Sequence, residues 1–89
     1  MINPLSRDPL AVTSRVQAIR RELEDLLTDS KSAVRKLEDE ISYLKKQQER
    51  YEAQGNQRMV DDLSIARRRA QSKLQDYEIA IRKIKQLLL

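Results

Sequence analysis

The amino-acid sequence predicts an all-α fold: an antiparallel helical hairpin of coiled-coil type, self-associating into a four-helix-type bundle. Three observations carry this expectation. The helix breakers are confined to Pro4, Pro9 and Gly55. Apolar residues recur at alternating steps of three and four on both sides of Gly55, which is the signature of one apolar stripe per helix. The two stripes also match level by level when the chain is folded back at Gly55-Asn56.

Residues 1–8 read as a flexible lead-in to a single domain covering 9–89. Asp8-Pro9 is a helix start, because an Asp carboxylate caps free amides and proline loses nothing at the first helical position. No breaker follows until Gly55, so the first helix is expected over 9–54. Its stripe runs Val12, Val16, Ile19, Leu23, Leu27, Ser30, Val34, Leu37, Ile41, Leu44, Gln48, Tyr51, with consecutive fours near its start. Gly55 is suited to the left-handed position that ends a helix, and Asn56 to capping the next one. The second helix is expected over 57–88, with the stripe Val60, Leu63, Ala66, Ala70, Leu74, Tyr77, Ile81, Ile84, Leu88 and a stutter at Ala66-Ala70-Leu74.

Folding back at the turn sets Tyr51 against Val60, Gln48 against Leu63, Ile41 against Ala70 and Leu37 against Leu74. Val34 then meets Tyr77, Ser30 meets Ile81, Leu27 meets Ile84 and Leu23 meets Leu88. Residues 9–22 are left without a partner, although Val12, Val16 and Ile19 continue the stripe. Either the first helix projects and packs on another subunit, or it breaks near Thr28-Asp29-Ser30 and folds back to make a three-helix bundle.

Composition limits the chemistry. Charged residues are 36% of the chain and apolar ones 39%, with aromatics at 3%, all tyrosine, a balance that suits solvated helices better than a broad core. The absence of cysteine and histidine removes the usual thiolate nucleophile, the neutral-pH proton carrier and the common metal ligands. No catalytic, cofactor-binding or metal site is expected, and an enzyme is not. No apolar run approaches the ~20 residues that span a bilayer, and a cytoplasmic protein is the expectation.

What remains is an interaction protein. The residues expected to bind a second copy, as a dimer, or another helical protein are Val12, Val16, Ile19 and Leu23 on the overhang. Ile79, Ile81, Ile84, Leu87 and Leu88 join them at a wide apolar end of the second helix. The alternative function is a sequence-tolerant nucleic-acid-binding hairpin. The net charge of +4 resides on the second helix, since residues 9–54 hold nine basic and nine acidic side chains. Arg67, Arg68 and Arg69 fall beside Lys45 and Lys46, a belt of cations suited to phosphate. The acidic groups Glu22-Glu24-Asp25 and Glu38-Asp39-Glu40 are read as partners for Lys83, Lys85 and Lys73 across the hairpin. Ser30 and Gln48 are polar interruptions of the stripe that fix register, and Tyr43 is an exposed candidate for a partner contact.

Overall fold

The computed structural model describes residues 9–89, with side chains from residue 11 onward. The expected lead-in over residues 1–8 and the Asp8 cap lie outside the described residues. Two helices follow one another, α1 (Pro9–Ala53) and α2 (Gln57–Leu88), and they pack against each other as a hairpin. The molecule is a thin rod of 79 × 17 × 15 Å. Its radius of gyration of 21.8 Å compares with about 12 Å for a compact domain of this length.

The turn follows from two residues. Gly55 takes a left-handed φ of +71°, which places its amide on the Glu52 carbonyl at 3.0 Å and the Asn56 amide on the Tyr51 carbonyl at 3.0 Å. Together these two bonds form a Schellman closure, which satisfies carbonyls that the end of α1 would leave open. Asn56 then starts α2: its side-chain oxygen accepts from the Met59 amide at 3.3 Å, and its carbonyl accepts from the Val60 amide at 3.2 Å. The Gln57 side chain donates to Asp61 Oδ1 at 2.8 Å, adding a support one turn into the helix.

The break considered near Thr28-Asp29-Ser30 does not occur, so the three-helix alternative is overturned. α1 is continuous for 45 residues. The Thr28 hydroxyl donates back to the Glu24 carbonyl at 3.1 Å, which occupies the side chain that would otherwise have capped a new helix. Ser30 is 4% exposed, turned into the seam between the helices.

The buried residues are Ser30, Leu37, Val60, Ala70 and Ile84. Small side chains are prominent among them for a geometric reason. Ser30 and Ala70 are each 4% exposed, and side chains this small let the two backbones approach. No large side chain is completely withdrawn from solvent among the described residues, because a single seam between two helices is open along both flanks. Tyr77, expected in the seam, is exposed, whereas Tyr51 of the same pairing is half-buried.

The helices differ in length by thirteen residues, 45 against 32. At 1.5 Å per residue, α1 runs about 20 Å past the end of α2.

Candidate interaction surface

The overhang carries the exposed part of the apolar stripe. Val12, Val16 and Ile19 are 46%, 58% and 57% exposed, while Leu23, level with the end of α2, is half-buried. Where α2 stops, an open groove of about 140 Å³ lies between the helices, lined by Val16, Ile19, Arg20, Leu23, Leu87 and Leu88. It brings together the two groups of residues expected from sequence to contact a partner, those of the overhang and those of the α2 end.

The wide end of α2 is narrower in the folded chain than its composition implies. Ile84 is 5% exposed and belongs to the hairpin seam. Ile81 and Leu88 are half-buried against α1. Ile79 remains exposed, and Leu87 is 70% exposed on the rim of the groove. The physical reason is that one α2 face must satisfy α1 before any other partner, and it takes up Ile84 and much of Ile81, leaving Leu88 at the edge of the groove.

Two residues of this surface were not singled out by the stripe. Leu26 is exposed, and its position three residues after Leu23 and seven after Ile19 marks it as a flank of the same face. Arg20 lines the groove and pairs with Glu24, Nε to Oε1 at 3.4 Å. The one-turn spacing of opposite charges was the available signal.

That ion pair is the one found among the described residues, and it lies within α1. The expected pairing of Glu22, Glu24 and Asp25 with Lys83 and Lys85, and of Glu38, Asp39 and Glu40 with Lys73, does not form. Long exposed side chains lose more rotamer freedom in such pairs than a screened attraction returns.

The basic belt is split. Lys45, Lys46, Arg68 and Arg69 are exposed. Arg67 is half-buried and donates from Nη1 to Gln48 Oε1 at 3.1 Å, joining the two helices. Leu63, Arg67, Ala70 and Leu74 step by four, three and four, so Arg67 fits the seam spacing as well as its neighbour Ala66, and both are half-buried. Tyr43 is exposed on α1, as read from its position off the stripe.

Among the described residues no group of three or more Cys, His, Asp or Glu is arranged to hold a metal ion. No helix is long and apolar enough to cross a membrane. A second open depression, lined by Thr28, Lys31, Ser32 and Arg35, belongs to α1 alone and has no facing wall. No protein-family model, curated protein or solved structure matches the chain.

Proposed function

We propose that this is a non-enzymatic structural or adaptor protein that acts by coiled-coil association of helices, with a second copy of itself or with another helical protein. The observation that carries the reading is the exposed continuation of the seam on the overhang, Val12, Val16 and Ile19, ending in the groove against Leu87 and Leu88. Burying what is still exposed of each overhang side chain is worth on the order of 1 kcal/mol. A partner helix laid along them meets the same pattern that holds α2 to α1.

The test is a variant that spoils this surface without touching the hairpin. Val16→Asp with Ile19→Asp places two charges on the exposed face and leaves every buried residue in place. Wild type and variant are compared in molar mass by light scattering and in the proteins that each retains when immobilised. At least one of the two should change, with helicity by circular dichroism unaltered. Identical mass and identical retained proteins would sink the reading.

The exposure of Lys45, Lys46, Arg68 and Arg69, none of them in an ion pair among the described residues, favours a second reading. In it the hairpin binds nucleic-acid phosphates without regard to base sequence. Phosphate contact by these cations is the recognition this reading proposes.

A further inference from the structure

We infer that the overhang of α1 binds the overhang of a second copy of this chain, antiparallel and about a two-fold axis passing beside Val16. This rests on the reading of the protein as one that acts by helix association, and it names the occupant of the exposed stripe.

Length is the first argument. In this 89-residue chain α1 exceeds α2 by thirteen residues, 45 against 32. The stretch of seam that α2 leaves open is therefore as long as the stretch of helix that a second copy has to offer. Placed antiparallel, the second copy's α1 runs in the same direction as α2 and takes over the seam where α2 stops.

Symmetry is the second. A two-fold contact uses the same patch on both copies, so the patch must complement itself. With the second helix beginning where α2 ends, Val12 of each copy lies level with Ile19 of the other, and Val16 lies beside its own counterpart. Three β-branched side chains of similar size fill these layers evenly.

Charge is the third. Charged residues make up 36% of the chain, and the overhang, residues 9–22, gathers most of its charge at the end nearest α2 as Arg20, Arg21 and Glu22, whereas residues 9–19 carry Arg15 alone. Depletion of charge marks the core of protein interfaces. The outer part of the overhang, which spans the two-fold axis, is thus the part of α1 best prepared for burial, although it is exposed in the single chain. Two helical stretches of this length meeting along one stripe bury on the order of 1000 Å² in all, the lower edge for a specific interface. The dimer is accordingly weak and concentration-dependent.

The chain contains no cysteine, so one introduced at a chosen position reports on that position alone. Under mild oxidation Val16→Cys should give a disulfide-linked dimer on a non-reducing gel. Leu26→Cys and Ile65→Cys, exposed positions away from the axis, should not. Mixed in equal amounts, Val12→Cys and Ile19→Cys should link to each other in preference to themselves. Wild-type molar mass by light scattering should rise towards double the monomer value as concentration is raised. A monomer mass throughout, with no cross-link at position 16, overturns the inference. A dimer that cross-links at 26 or 65 and not at 16 overturns it as well. In either event a retained protein that is lost with the double aspartate variant would leave the broader reading standing.

Discussion

Gly55 shows how a single residue fixes the hairpin. A Cβ at this position would meet nothing within 4 Å, so the requirement for glycine comes from its positive φ alone. Gly55→Ala should therefore lower the unfolding free energy by about 1 kcal/mol, the cost of a left-handed backbone for a residue with a side chain. Gly55→Asn should cost less, because asparagine tolerates this region better. Urea unfolding followed by circular dichroism measures both, and a neutral alanine variant would contradict the account. The turn was legible in the sequence because the one glycine stands directly before a capping asparagine in an otherwise unbroken stretch. Arg67 was not legible. Its spacing fits the seam, but a charged residue is passed over when an apolar stripe is traced, and neighbouring Ala66 offers an easier reading. Only the hydrogen bond to Gln48 shows that its side chain reaches across to α1.

At the scale of the helices, the Gln48–Arg67 contact is a polar layer inside an apolar seam, and its energetics should be those of a pair. Gln48→Leu alone leaves the half-buried guanidinium without its partner and should cost about 1 kcal/mol. Adding Arg67→Leu removes the unmatched charge and supplies apolar surface, so the double variant should match or exceed the wild type. Four unfolding curves make the cycle, and additive effects of the two substitutions would show that the bond carries no coupling. The turn between the helices was readable, since glycine and asparagine mark it. The continuity of α1 through Thr28-Asp29-Ser30 was not, because the same side chains cap a helix or bond back within one. Their behaviour here is set by Ser30 facing α2 and by Thr28 reaching Glu24.

For the molecule as a whole, the uneven placement of charge is the feature with the plainest consequence. The excess of basic residues lies on α2 while α1 is neutral, so one long side of the rod bears the positive field. If the exposed cations hold nucleic acid, labelled DNA and RNA should both bind at low salt, and affinity should fall steeply as salt is raised. Replacing Lys45, Lys46, Arg68 and Arg69 by Gln should flatten that dependence, whereas no binding of either nucleic acid at low salt would dispose of the reading. The purpose of the apolar stripe left exposed on the overhang was the least legible part of the sequence, for a physical reason. The stripe that closes the hairpin and the stripe that would meet another chain have the same residue types and the same spacing. Only the relative lengths of α1 and α2 separate one from the other.

The hairpin also orders the chain in time. Near Gly55 the residues that face each other are close neighbours in sequence, whereas at the level of Leu23 and Leu88 most of the chain lies between them. Bringing the first pairs together closes a short loop at small entropic cost, and each further layer is then placed beside one already formed. Such a rod zips from its turn and opens from its far end. The strands of helix around Leu23 and Leu88 are thus the last to be secured and the first to come apart, and any chain that grips the overhang would act as a clasp on the seam.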